Sequence, residues 1–312
     1  MKEYYPERYK LLKSYIKQGR WNISGSSVDE CDVLIPGPES ILRQVLYGNR
    51  FFKTEFGKVS KDFMLPDCFG FPASTPSLLA HAGLLGFSTQ KLSWGCAKGI
   101  PFNVGVWEGP DGKSIIAALN ATNYNGRIEE GLDTTSVWVE RIRMFGDRYG
   151  LYFDFRYYGV GDQGGAPRED DVKRLLASLN NKYSRIKIIP AASDRMYKEI
   201  TPELREKLPV YKGDLLLTGS SAGVLTSQAY MKRWNRENEH LALAAEKIAV
   251  MAHRFGINEY PKEKLNNAWE RVLANQMHDI LAGTSIPKAY EYSWNDEVIA
   301  MNGFAAVLKN SA

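Results

Sequence analysis

The run Phe63-Met64-Leu65-Pro66-Asp67-Cys68-Phe69-Gly70-Phe71-Pro72-Ala73-Ser74-Thr75-Pro76 decides the fold class. Three apolar residues form a short buried strand, and Pro66, which has no N–H to offer a ladder, ends it. Thr75 then caps a helix with Pro76 at its first position, and Gly83 stops that helix. Working outward, strands and helices continue to alternate. Arg43 to Phe56 is helix-like, with Leu42, Val45, Leu46 and Phe52 near one face. Gly105-Val106-Trp107 and Ser114 to Leu119 flank Gly109-Pro110-Asp111-Gly112, a hairpin signal. Thr134 to Phe145 reads as a helix, Leu151 to Tyr158 as a strand, Arg168 to Leu179 as a helix and Ile186 to Ile189 as a strand. Alternation of this kind predicts an α/β fold, with a mainly parallel sheet or incomplete barrel flanked by helices.

The pattern changes after Asp214-Leu215-Leu216-Leu217. From there only Gly256 to Pro261 strongly interrupts helical periodicity, so the remainder reads as a three-helix bundle at about 223–255, 262–281 and 284–309. The expected domains are a truncated α/β part, 1–217, and a helical part, 218–312. Two domains agree with a length of 312 residues.

Composition removes several classes of function. Forty Lys and Arg against 36 Asp and Glu leave a net charge of +4, with no dense basic block to neutralise a run of phosphates. A nucleic-acid partner is therefore not expected. No apolar stretch reaches the roughly 20 residues of a membrane span; Leu78 to Phe87 is broken by His81, Gly83 and Gly86. The first residues, Met-Lys-Glu-Tyr-Tyr-Pro-Glu-Arg, lack a signal-peptide core. Cys31, Cys68 and Cys96 are odd in number and widely spaced, which fits a reducing, cytoplasmic setting and not a disulfide framework.

Ligands of open α/β sheets sit at the carboxyl ends of strands. Asp67 follows the strand at 63–65, and Asp162, in Gly159-Val160-Gly161-Asp162-Gln163-Gly164-Gly165, follows the strand expected at 151–158. Two acids on one rim suit glycoside hydrolysis, one as nucleophile and one as proton donor. An aspartate in such a position is more commonly a helix cap or a turn residue. The glycine loop lacks the G-x-G-x-x-G order, so a nicotinamide cofactor is not expected. His81 reads as a packed structural histidine, while His240 and His253 are open between surface and core. His278 falls opposite the apolar stripe Leu265, Trp269, Val272, Leu273 and Ile280, with Asn267 and Arg271. That placement reads as solvated, unless the face turns toward the α/β part. An imidazole beside Asp279 belongs to a zinc-type donor set, although two residues make no motif.

Six ordered segments resemble family 38 glycoside hydrolases, the retaining α-mannosidases. They are Asp32 to Leu46 with Gly37-Pro38-Glu39-Ser40, the Leu65-Pro66-Asp67-Cys68-Phe69-Gly70 region running on to Ser88-Thr89-Gln90-Lys91, Trp107-Glu108-Gly109-Pro110-Asp111-Gly112, Gly161 to Pro167, Thr226 to Arg236, and Asn275-Gln276-Met277-His278-Asp279. The resemblance implies that Asp67 is the nucleophile and a zinc ligand, and that His278 is a second zinc ligand. It places Asp279 beside that histidine, Phe69 in the sugar pocket and Lys91 near the nucleophile, and it makes Asp162 the candidate acid/base. The implied cofactor is zinc and the implied partner an α-mannoside or glycan.

The same resemblance calls for a His-x-Asp pair supplying two more zinc ligands, and no histidine here is followed two positions later by aspartate. The chain thus reads as an internal fragment, lacking a first strand and a C-terminal β-sandwich. It is expected to bind zinc weakly and to be inactive alone, with an open sheet edge prone to homo-oligomer formation or to pairing with a complementing fragment. Three rival readings remain: a non-catalytic carbohydrate-binding or structural remnant, a deacetylase-like hydrolase, and a split enzyme.

Overall fold

The computed structural model describes the chain except residues 134, 135, 163 and 219–222. It divides into two compact units that interleave along the sequence. One comprises Met1–Gly25, Ser60–Pro66 and Ala73–Leu216; the other comprises Ser26–Val59, Asp67–Pro72 and Leu217–Ala312. The packing is thus less sequential than one cut near residue 217, because two early segments belong with the C-terminal helices.

The first unit is built on a five-stranded sheet whose order is Asp62–Met64, Gly86–Ser88, Ser114–Ala118, Val104–Glu108, Val210–Lys212. Three of its four pairings are parallel. The exception is the predicted hairpin, in register Val104↔Ala118 and Val106↔Ile116. Those four side chains share a face, since alternate residues of a strand point the same way. They pack with Phe145 of the helix Ser136–Tyr149 and Tyr197 of the helix Arg195–Glu199. The helix Thr75–His81 starts at the predicted Thr-Pro, with Ser74 and not Thr75 in the capping position. Within the strand Asp62–Met64, Asp62 is fully buried and accepts hydrogen bonds from the Ser24 and Ser60 hydroxyls at 2.6 and 2.7 Å, which satisfy its carboxyl oxygens.

Two expected strands are absent. Residues 151–158 and 186–189 have no ladder. Phe153 and Phe155 instead pack against the Val104 face, and Tyr157 gives its N–H to Ala121 at 2.7 Å. The expected helix at 134–145 is observed as Ser136–Tyr149, its first residues lying outside the described ones. His81 is exposed and paired with Asp111 at 2.7 Å rather than packed in a core.

The second unit is helical. Its long helices are Pro38–Phe56, Ala229–Arg254, Lys262–Asn275 and Pro287–Ser311. Their core gathers Tyr47, Ala242, Ala245, Ala249, Leu265, Trp269, Val272, Leu273, Ala300, Phe304 and Val307. Small alanines along one stripe of Ala229–Arg254 let the neighbouring helices approach closely. Arg43 stacks on Trp269 at 4.2 Å and makes a two-pronged pair with Glu246 at 2.8 and 2.6 Å, which also accepts from the Trp269 indole at 2.9 Å. Leu46, expected on the inner face of its helix, is 59% exposed. The inward stripe runs through Ser40, Ile41, Gln44, Val45, Tyr47 and Gly48. At Gly48 an added Cβ would sit 2.4 Å from the Ser26 carbonyl oxygen and 2.5 Å from the Ser27 carbonyl carbon. Backbone cannot yield as a side chain can, so Gly48→Ala is expected to destabilise this unit by roughly 1–3 kcal/mol. A denaturant midpoint unchanged from the parent would refute that reading of the contact.

Candidate active site

Residues 276–278 decide how this site forms. The expected single helix 262–281 is in fact two, Lys262–Asn275 and His278–Ala282. Between them, Gln276 and Met277 lie antiparallel to Cys31–Asp32. Asp32 N–H donates to Gln276 C=O at 2.8 Å, Cys31 opposes Met277, and His278 N–H donates to Glu30 C=O at 3.0 Å. His278 therefore opens a new helix and is 6% exposed, not solvated on a polar face. Asp32 is fully buried; one carboxylate oxygen accepts from Leu34 and Ile35 N–H, both at 2.8 Å, which turns the chain away from the site.

Asp67-Cys68-Phe69 docks on the same loop. Asp67 N–H donates to the Glu30 carboxylate at 2.6 Å, and the Cys68 thiol donates to Cys31 C=O at 3.1 Å. The Phe69 ring meets the His278 imidazole edge-on, with centroids 6.0 Å apart. His278 Nδ1 lies 3.1 Å from Glu30 C=O, and Nε2 lies 3.6 Å from the Asp279 carboxylate. The carbonyl and the carboxylate both accept, so each ring nitrogen has an acceptor within reach. The Thr284 hydroxyl donates to Asp279 and steadies that carboxylate.

Burial dominates the electrostatics. It raises the Glu30 carboxyl above its ordinary range; His278 and the Asp67 N–H pull it back, while the nearby Asp67 and Asp29 charges push it further up. Burial likewise holds the Cys68 thiol well above its usual value, so the free side chain is a neutral thiol. The Asp32 carboxyl is raised by burial against the opposing Ile35 and Leu34 N–H bonds.

Of the residues singled out from sequence, Asp67, Phe69, His278 and Asp279 thus belong to one compact unit. Lys91 and Asp162 belong to the other. Lys91 is buried in the 3-10 turn Lys91–Trp94, its ammonium 4.0 Å from the centre of the Trp94 ring. Asp162 is exposed, with φ of +62°, and accepts from the Tyr124 hydroxyl at 3.2 Å. The premise that placed it on the sheet rim does not hold, because residues 151–158 form no strand; only Asp67 follows one. Sequence reasoning missed Glu30 and Cys68. The local signal for Glu30 was the acidic run Asp29-Glu30-Cys31-Asp32, and for Cys68 its place beside Asp67.

The residues fit a zinc-type ion. Imidazole, carboxylate and thiol are donors of the kind that ion takes, and Glu30 C=O at Nδ1 and the Asp279 carboxylate at Nε2 are each placed to serve as the outer partner of a metal-bound histidine.

A mainly parallel sheet with helices around it and a helical region define an α/β scaffold with an added helical domain. The family comparison makes that specific. The model for the glycosyl hydrolases family 38 N-terminal domain matches residues 1–214, and the model for the alpha mannosidase middle domain matches residues 221–311. The chain belongs to glycosyl hydrolase family 38. It is 35% identical over 295 residues to alpha-mannosidase G of Dictyostelium discoideum, covering 93% of this chain and 26% of that protein. It is 32% identical over 307 residues to alpha-mannosidase of Saccharomyces cerevisiae, covering 93% and 27%. The chain thus spans about a quarter of the length of these relatives. The crystal structure of an alpha-mannosidase from Enterococcus faecalis V583 shares the fold, with a TM-score of 0.76 at 21% identity, covering 99% of this chain and 36% of that one.

Proposed function

We propose that this chain supplies the nucleophile, Asp67, and two zinc ligands, Asp67 and His278, of a retaining α-mannosidase acting on an α-mannoside or glycan. The observation that carries the reading is the docking of Asp67, Phe69, His278 and Asp279 around one loop of one unit. Asp67 attacks the anomeric carbon and forms a glycosyl-enzyme ester. Asp162 gives its proton to the leaving oxygen, then takes one from the water that hydrolyses the ester, so configuration is retained. Phe69 presents a ring face to the sugar, Asp279 accepts from sugar hydroxyls, and Lys91 is carried over from the family motif as a substrate-binding residue. Asp67 and His278 would hold zinc, which when bound supplies Lewis-acid charge for sugar hydroxyls. In this reading residues 1–217 form the catalytic part and 218–312 the helical part, and three free cysteines favour a cytoplasmic setting.

Of the four ligands that the family pattern implies, only Asp67 and His278 are matched in this sequence. Aryl α-mannoside turnover by the polypeptide alone is therefore expected to be negligible, and robust turnover would overturn that part of the reading. The reading itself is tested by calorimetric titration with methyl α-mannoside, with and without zinc, against methyl α-glucoside. Zinc-dependent binding of the mannoside alone is expected. Equal or absent responses to both sugars with zinc would favour a remnant without sugar recognition.

A further inference from the structure

We infer that Glu30, Cys68 and His278 form a three-donor site for a divalent cation of the zinc class, with the Cys68 thiolate as a ligand. This deepens the zinc reading above, with which it shares His278. One Glu30 carboxylate oxygen, the Cys68 sulfur and one His278 nitrogen all lie within 4.8 Å of one another. Donors around tetrahedral zinc, bonded at roughly 2.0–2.3 Å, stand on the order of 3.5 Å apart. Closing the triad therefore takes movements of about 1 Å, within reach of side-chain torsions.

Three features favour a cation there. Cys68 is fully buried and His278 nearly so, where solvent competes weakly for the ion. The loops carrying the donors are tied to one another by backbone bonds, Asp67 N–H to the Glu30 carboxylate and His278 N–H to Glu30 C=O. Either imidazole nitrogen can be the ligand, because the other keeps an acceptor. Nδ1 faces Glu30 C=O at 3.1 Å, and Nε2 faces the Asp279 carboxylate at 3.6 Å. On binding, the Cys68 S–H proton leaves to solvent as the sulfur–metal bond forms, with no change of oxidation state. Sulfur, nitrogen and oxygen together select zinc, cobalt or cadmium over magnesium and calcium. Three protein donors leave one position open. The expectation of weak zinc binding counted only Asp67 and His278; the structure supplies two further donors.

The test is cobalt(II) titration of the 312-residue chain, followed by displacement with zinc. One equivalent is expected to raise a thiolate-to-cobalt charge-transfer band in the near ultraviolet. Cys68→Ser should abolish it, Cys31→Ser and Cys96→Ser should keep it, and Glu30→Gln and His278→Ala should weaken binding at least tenfold. Where Cys68→Ser does not fold, the double variant Cys31→Ser/Cys96→Ser, with Cys68 as its one thiol, must retain the band. Cobalt binding without that band, lost in both Asp67→Asn and His278→Ala, would overturn the thiolate site and leave the Asp67–His278 reading standing. No binding at all would overturn both.

Discussion

Replacing Asp67 by Asn is expected to lower aryl α-mannoside turnover by at least about a thousandfold, the scale on which loss of a nucleophile acts. The measurement belongs in a polypeptide that joins these 312 residues to a segment carrying the family's His-x-Asp pair. An amide is a poor nucleophile and a poor zinc ligand, so both proposed duties of the side chain fail together. The bond from the Asp67 N–H to the Glu30 carboxylate at 2.6 Å is kept by the substitution. Melting behaviour matching the parent therefore separates lost chemistry from lost structure. A second reading comes from acid-quenched enzyme: the parent should carry a hexosyl adduct on the peptide containing residue 67, and the variant none. Turnover in the variant above a tenth of the parent's would remove Asp67 from the nucleophile's role.

The features legible in the sequence were those written by short-range chemistry. Pro66 ended a strand, Thr75-Pro76 began a helix, and Gly109 to Gly112 joined a hairpin, because each depends on a φ angle or a missing N–H within a few residues. Residues 151–158 show where that kind of reasoning stops. Their apolar alternation reports which side chains are buried, and Phe153 and Phe155 are indeed packed inward. It does not report whether a partner strand is there, and the backbone bonds instead to a loop, Tyr157 to Ala121. His278 is the sharper case. Periodicity over 262–281 assumed one continuous helix and put the imidazole on its wet side. The helix breaks because Gln276 and His278 bond to Asp32 and Glu30, a contact spanning up to 248 positions, and the break turns the imidazole inward. Glu30 and Cys68 were unreadable for the same reason, since their meaning arises only where three distant loops meet.

Glu297 should make the helical unit lose stability as pH rises from about 5 to 8. It is fully buried, and burial lifts its carboxyl from 4.5 to about 8; Asn238 pulls it down, while Glu239 and Asp296 push it further up. The Asn238 amide donates to one carboxyl oxygen at 2.6 Å, while the other, and the Asn238 carbonyl, have no partner. A neutral acid carries the one hydrogen that this arrangement lacks, so the protonated form is the one that fits. The folded state holds its proton to higher pH than the unfolded chain does. Stability from Glu297 is thus complete below about 4.5 and is lost as pH climbs through about 8. At about 1.4 kcal/mol for each pH unit, the loss approaches 5 kcal/mol. Glu297→Gln supplies the missing hydrogen without a titrating proton, so its stability relative to the parent should grow by several kcal/mol between pH 5 and pH 9. Denaturant unfolding of both proteins across that range reads the difference directly, with each carboxylate common to both cancelling out. A constant difference would show that Glu297 is ionised in the folded bundle at neutral pH, and that the three unpaired polar atoms of Asn235, Asn238 and Glu297 are satisfied in some way other than by protonation.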